Sequence, residues 1–323
     1  MTRRVVMAAA IGAALLLGAG TTQAQDKSIV TLVVPFGAGG GVDTVMRAVA
    51  DRLTPVLGKT VLVENRPGGS TILAYDHVAR SPADGTVFMI GTPSMSTNQA
   101  FKPGTGPGDP RKLLAPVAPI AEQPYMLIAG PALPAEVKDV ASLLKWAKDN
   151  PDTLDMVNSG PLTAPRLAAE LLAFRTETPI VTISYQSGTA GVLDVAGGRV
   201  HAGFTQIIEA MPQVTAGNLR PLAVSSLKRS PVFPDLPTVS ETVPDFDVTS
   251  WNGMFAPAET PKAVIDEMNA AVNKVLQDES LKEMFRSQGT VFVGGSPEDL
   301  GNKLDSEIKR WEDLQSKVKL EID

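Results

Sequence analysis

VVPFGAGGGVDTVMRAVADRL, residues 33–53, is the stretch from which the fold can be read. The β-branched apolar run Ile29 to Val34, with Thr31 inside it, predicts a buried strand. Pro35 has no N–H to give a ladder and ends the run. In the loop that follows, Gly37, Gly39, Gly40 and Gly41 remove nearly every Cβ. Val42, Val45, Met46, Val49, Ala50 and Leu53 then recur at helical spacing, which predicts a helix with one apolar face and Asp43 near its first turn as a cap. A strand, a glycine loop and a helix N-terminus in that order make an anion pocket. The backbone approaches closely, and unpaired N–H groups at the positive end of the helix dipole point at the ligand. The dinucleotide fingerprint G-x-G-x-x-G fails because its third glycine position is Val42, and no Gly-Lys-Ser/Thr follows to make a Walker loop. A purely structural βα turn is the bland alternative. Four glycines in five positions exceed what a turn needs, so a small-anion site is favoured.

The chain has 323 residues, enough for two domains and a large core. Hydrophobic residues make up 43% and charged residues 20%, ordinary for a globular α/β protein. The formal charge is −6; without the first 24 residues, which hold Arg3 and Arg4 and no acid, 27 basic side chains face 35 acidic ones, or −8. That balance argues against nucleic acid or anionic lipid as a partner. Residues 1–24 read as a secretory signal peptide: Arg3 and Arg4, an apolar run from Val5 to Leu17 too short to span a bilayer, then Thr22-Gln23-Ala24 ahead of the cleavage point. There is no cysteine, hence no lipid anchor at a lipobox and no disulfide. The expected protein is exported to the periplasm.

Outward from the glycine loop, Lys59–Val63 and Val87–Ile90 read as strands and Ile72–Arg80 as a helix. The β-α-β-α-β rhythm predicts a parallel sheet, whose carboxyl edge carries the loop Gly91-Thr92-Pro93-Ser94. Val117–Ile120 and Met126–Ala129 read as two strands split at Gln123-Pro124, where the chain crosses to a second lobe. Asp139–Lys148 is an amphipathic helix, and Leu154–Asn158 a strand before the loop Ser159-Gly160-Pro161-Leu162-Thr163 and a helix from Ala164. Ile180–Ser184 leads into Tyr185-Gln186-Ser187-Gly188-Thr189, again hydroxyls and glycine ahead of a helix. Val200–Thr205 and Leu219–Ser226 complete the second α/β unit; residues 228–247 hold four prolines and read as an ordered loop. Trp251–Pro257 is the returning strand, followed by helices at Pro261–Leu276, Glu279–Gln288 and Pro297–Val318. The expected lobes are 25–123 with 250–323, and 124–249. Loops 36–41, 159–163 and 185–189 then face one cleft from both sides, as in a two-lobed clamp.

VPFGAGGGVD, VENRPGG, ARSPADGTVFMIGTP, SYQSGTAGVLDVAGGRV, LRPLAVSSLKRSPVFPDLPTVSE and SWNGMFAPAETP, in this order, closely resemble the Bug (TctC-like) proteins, extracytoplasmic binding components of tripartite tricarboxylate transporters. The likeness runs from about residue 28 to 315. It implies an α/β, two-lobed type II periplasmic-binding-protein fold that closes on a small organic carboxylate and delivers it to membrane permease subunits, without a cofactor. Residue by residue, it points to Phe36, Gly37, Gly39, Gly40, Ser159, Gly160 and Thr163 as the carboxylate clasp. The chain departs from many relatives at Arg166 where they have His, at Thr205 where they have Asp after the strand, and at Leu162 where they have glycine.

Read from the residues themselves, Gly41, Thr92, Ser94, Tyr185, Gln186, Thr189 and Thr205 complete the candidate site, since each stands in or beside a loop at a strand end. Phe36 is either a wall against the ligand or a plug under the loop. Arg166 either neutralises a second carboxylate or points outward from its helix. Two histidines, His77 and His201, with no thiol and no HExxH, give no metal site. Ser142-x-x-Lys145 lies in an amphipathic helix and lacks its partner motifs, so it is a chance match. Two functions from different classes remain at this level: a monomeric binding protein for a small organic anion, or a secreted hydrolase or isomerase on a similar fold. The second needs a base, nucleophile or metal in the cleft, and these loops offer glycine, hydroxyls and amides.

Overall fold

The computed structural model describes residues 28–317. The expected signal peptide lies outside them. The first half runs β1 (Ile29–Val34), α1 (Gly41–Leu57), β2 (Thr60–Asn65), α2 (Ile72–Ala79), β3 (Val87–Gly91), α3 (Pro93–Phe101) and the short α4 (Pro110–Leu113). β4 (Leu114–Ala129) leads to α5 (Val140–Asp149), β5 (Asp155–Asn158), α6 (Ala164–Thr176), β6 (Val181–Ser184), α7 (Gly188–Ala196), β7 (Ala202–Gln206), α8 (Ile207–Thr215) and β8 (Arg220–Val224). The chain returns through β9 (Thr249–Pro257) to α9 (Lys262–Val275), α10 (Glu279–Arg286), β10 (Val291–Phe292) and α11 (Pro297–Lys317).

β1 pairs in parallel with β2 and with β3, as two βαβ crossovers require. That is the parallel pairing expected of this unit; the sheet as a whole is mixed. β9 lies antiparallel between β3 and β4, and β4 is antiparallel to β7 and β8. Within the second half β5 is parallel to both β6 and β7. The continuous order β2-β1-β3-β9-β4-β7-β5-β6 therefore joins the two halves through β9 and β4.

Alternate residues of each strand face opposite layers. Val30, Leu32 and Val34 of β1 and Phe88 and Ile90 of β3 pack under α1 and α9. Val33, Val87 and Met89 face the other way, onto Tyr75, Trp251 and Leu304. In the second half Leu127 and Phe204 meet α6, while Met126 and Ile128 meet Val192 and Ile207. The stretch 228–247 packs as expected of an ordered loop, with Val239, Val243 and Phe246 buried.

Two readings of the sequence need correction. The apolar runs at 117–120 and 126–129 are one strand, β4, not two. Pro116, Pro119 and Pro124 lack the N–H that a ladder needs, but register shifts against β9 between Pro116 and Ala118 and between Pro119 and Ala121 carry the strand past two of them. Those bulges also break the two-residue alternation that marks a strand. Likewise Thr92-Pro93-Ser94 is not a free loop but the start of α3, with Thr92 at its N-cap and Pro93 in its first turn. The helix is polar and has no apolar period to betray it; Pro93 was the available signal.

The last helix ties the halves together. Trp311 of α11 is 2% exposed and sits within the core of the second half, its ring 6.2 Å from that of Phe101. Arg310 donates to the Asp247 carbonyl. Trp311→Ala should remove about 3–5 kcal/mol of stability, as aromatic truncation in a core does. The measurement is the urea midpoint at constant m-value; an unchanged midpoint would place this ring outside the core.

Candidate functional site

The carboxyl ends of β1, β3, β5 and β7 open onto one cavity, holding about 600 Å³ of space with its mouth included. Five helices begin at its wall: α1 at Gly40-Gly41, α3 at Thr92-Pro93-Ser94, α6 at Thr163-Ala164, α7 at Ser187-Gly188 and α8 at Gln206. Each start leaves N–H groups without helical partners and adds a fraction of positive charge. Among the described residues lining the cavity there is no Lys, Arg or His, and the one carboxylic acid is Glu209.

These helix starts are satisfied to different degrees. The Gly39 N–H donates to Asp43 Oδ2 at 2.9 Å and the Gly40 N–H to the Gly37 carbonyl at 3.3 Å. The Gly41 N–H donates to Glu209 Oε1 at 2.9 Å. All three amides of this loop are thus engaged within the protein. Ser187 caps α7 by accepting from the Ala190 N–H, and at α8 the Gln206 N–H donates to Glu209 Oε2 while the Gln206 side chain makes no cap. At α3 and α6, likewise, neither Thr92 nor Thr163 makes a side-chain cap. Beside them Asn158 Oδ1 accepts from the Gly160 N–H and from Ser184 Oγ, both at 2.9 Å. Those two donors fix the amide orientation and leave Asn158 Nδ2 buried without a partner; Thr92 Oγ1 and Gln206 Oε1 are likewise unpartnered. Buried polar atoms left open at a cavity wall are available to a bound molecule.

Glu209 lies between two helix starts. Its Oε2 accepts from Thr205 Oγ1 at 2.7 Å and from the Gln206 N–H at 3.4 Å. Burial pushes its pKa up, and the hydrogen bonds from Thr205, Gly41 and Gln206 only partly offset this. Asp43 shows the opposite balance. Burial alone would raise it, but hydrogen bonds from Arg47, the Gly39 N–H and Asn65 prevail and hold its carboxyl below the ordinary range. Burial also pushes the Tyr125 phenol at the cavity wall upward.

The sequence candidates separate into three groups. Phe36, Gly40, Gly41, Thr92, Ser94, Ser159, Thr163 and Thr205 line the cavity. Phe36 also packs against the core, so it is wall and plug at once. Gly160, Tyr185 and Gln186 line an outer recess that shares Phe36 and Ser159 with it. The Tyr185 hydroxyl there donates to Asp194 Oδ2 at 2.7 Å. Gly37, Gly39 and Thr189 line neither; Thr189 Oγ1 donates to the Gly39 carbonyl at 3.1 Å, across the halves. Arg166 is absent from both walls and donates to Glu170 at 3.2 Å along its own helix. Ser142 is bonded to Asp139 as a helix cap. The sequence reading missed Tyr125, Asn158, Gln206, Glu209 and Ser250. Gln206-x-x-Glu209 carries capping-box spacing, the one available signal for that pair.

The halves meet closely at this site. Besides Gly41 to Glu209, the Leu162 N–H donates to Ser70 Oγ at 3.1 Å and Thr97 Oγ1 donates to the Leu162 carbonyl. Ser70 belongs to the run Gly68-Gly69-Ser70-Thr71, where φ is 129°, 57°, 51° and 83°. For Ser70 and Thr71 such angles cost about 1–3 kcal/mol each.

Residues 45–320 match the family described as tripartite tricarboxylate transporter family receptor. The chain belongs to this receptor family. It is similar to a protein of the tcbD-tcbE intergenic region of Pseudomonas sp. (strain P51), 33% identical over 321 residues, 97% of this chain and 93% of that one. An R. palustris protein solved with adipate is 35% identical, with a TM-score of 0.85 over 89% of this chain and 96% of the other. MatC from Rhodopseudomonas palustris, solved with bound malate, is 28% identical, with a TM-score of 0.82 over 88% and 98%. These likenesses establish the periplasmic-binding-protein fold and a solute-binding rather than an enzymatic chain. Among the described residues no helix is long and apolar enough to cross a membrane.

A Cβ on Gly41 would stand 1.8 Å from Gln206 Oε1 and 2.7 Å from Ile208 Cγ2, side chains of the opposite half. Gly41→Ala should therefore hold the receptor more open, with a larger radius of gyration than wild type by small-angle scattering. Gly39→Ala meets nothing within 4 Å, and its φ of +78° costs only about 1–2 kcal/mol. Equal radii for wild type and Gly41→Ala would sink the argument. Asp43 yields a pH test. Because its folded pKa is depressed, its stabilisation is present above the unfolded value near 3.8 and is lost as pH falls through the folded value. The melting-temperature advantage of wild type over Asp43→Asn should be full at pH 7 and shrink below pH ~4; a gap independent of pH would refute this.

Proposed function

We propose that this receptor is periplasmic, closes two lobes on a small organic carboxylate, and presents it to the membrane subunits of a tripartite tricarboxylate transporter. The lobes are residues 25–123 with 250–323, and 124–249, joined by two crossings; the chain acts as a monomer after loss of its signal peptide at 1–24. One observation carries the reading. The starts of α3 and α6 carry no side-chain cap and lie on a cavity where Asn158 Nδ2 and Thr92 Oγ1 are buried and unpartnered, and among the described residues no cationic side chain lines it. An anion is the ligand that such donors suit. The adipate and malate carried by the two R. palustris proteins support a carboxylate.

The carboxylate is seated by the starts of α3 and α6, with Thr92, Ser94, Asn158, Ser159 and Thr163 around it. The glycine loop at 36–41 shapes the wall and lets the lobes approach, since its amides at 39–41 are already bonded. Gly160, Tyr185 and Gln186 border the outer recess, where a longer ligand would extend.

A thermal-shift screen of mono-, di- and tricarboxylates and aromatic acids tests this. At a hundredfold excess over Kd a ligand adds about 2.7 kcal/mol. For a protein of this size that is roughly 5–10 °C, at about 2–4 °C per kcal/mol. One narrow group of acids should shift the melting temperature upward and be recovered unchanged. Their amides should not, because the charge that the helix starts attract is gone. Equal shifts with acids and amides, or none with any acid, would overturn the reading.

A further inference from the structure

The cavity offers donors and acceptors from different elements. The open donors come from the ends of β3 and β5 and the starts of α3 and α6. The acceptors stand together on the first turn of α8: the Glu209 carboxylate and Gln206 Oε1, which has no partner. Among the described residues, the hydrogen bonds of the Glu209 carboxyl group are ones that it accepts, from Gly41, Thr205 and Gln206. No group accepts a proton from it, so its surroundings are those of a carboxylate. Yet no Lys, Arg or His among the described residues lines this wall, and a buried charge without a counter-ion is costly.

Resting on the carboxylate reading above, we propose that Glu209 is a specificity-determining residue: it is the counter-ion for an ammonium group of the ligand, so the receptor takes amino-bearing carboxylates and disfavours plain ones. The ligand's carboxylate goes to the open starts of α3 and α6, and its ammonium goes to Glu209, with Gln206 Oε1 as a second acceptor. Glu209 also holds the Gly41 N–H, and so bars a second carboxylate from the start of α1. A dicarboxylate would have to displace that bond or lie against a like charge. Gly188 contributes space, since a Cβ there would stand 1.9 Å from Glu209 Oε2. The upward push on the Glu209 pKa fits the same picture, since the protein alone does not fully balance the charge.

The test is titration calorimetry at pH 7.5 with three matched pairs: glutarate and glutamate, adipate and 2-aminoadipate, butyrate and 4-aminobutyrate. Wild type should bind the amino member of at least one pair tenfold or more tightly than its partner. Glu209→Gln, nearly the same in shape, should bring that pair within threefold. The wild-type comparison stands even if the variant does not fold, which its circular dichroism melt would reveal. Equal binding of each pair by wild type, tighter binding of the plain acids, or a preference that persists in folded Glu209→Gln would each overturn the role of Glu209 while leaving a carboxylate receptor intact. Binding of none of the six compounds by wild type overturns the proposal as well. Should the wider panel of acids also fail to shift the melting temperature, the carboxylate reading falls with it.

Discussion

A helix that begins inside a protein brings N–H groups that must find partners, and this chain brings five such beginnings to one cavity. The doubly wound arrangement makes this unavoidable. Parallel strands with helical crossovers put every strand end and every helix start on the same edge of the sheet. Joining two such units edge to edge through β4 and β9 turns those edges toward each other. The positive field of the cavity is therefore a property of topology, with no basic side chain needed, and the side chains are left to decide which helix starts stay open. Ser187 closes the start of α7 and Glu209 that of α1, whereas Thr92, Thr163 and Gln206 make no side-chain cap.

Much of this was legible in the chain itself. The run from Ile29 to Leu53 carries strand, glycine loop and helix in order, and β1 and α1 form there. The family and the two-lobed class followed from motifs spread along nearly the whole chain. Mixed sheet direction was not legible, because β9 lies far along the chain from β3 and local patterns say nothing about which way a distant strand will run. β4 escaped because its bulges at proline break the alternation, and α3 because a polar helix has no apolar stripe.

The wall of the candidate cavity was legible by half. Loops at strand ends can be read from glycine and hydroxyl clusters, so Phe36, Gly40, Ser159 and Thr163 were within reach. Glu209 was not, because it sits one turn into a helix, where an acid ordinarily faces solvent or caps its own N-terminus. Here it caps its own helix and a helix of the other half at once. Such a double role depends on how two lobes meet, and that distance is written nowhere in local sequence.

The placement of β9 has a consequence for assembly. β3 has β1 on one side and β9 on the other, and β9 belongs to residues 249–257. Until those residues arrive, β3 is an open edge, and α9 to α11, which cover the first half, do not yet exist. The second half instead holds β5 to β8 within one unbroken length and borrows only the tail of β4, already present. A chain emerging from its N-terminus thus starts one unit, forms the strands of the other, and closes both only near its end, when β9 covers β3 and Trp311 enters the core of the second half. The leading segment therefore waits as an incomplete sheet, and the cavity between the halves takes shape only once β9 lies between β3 and β4.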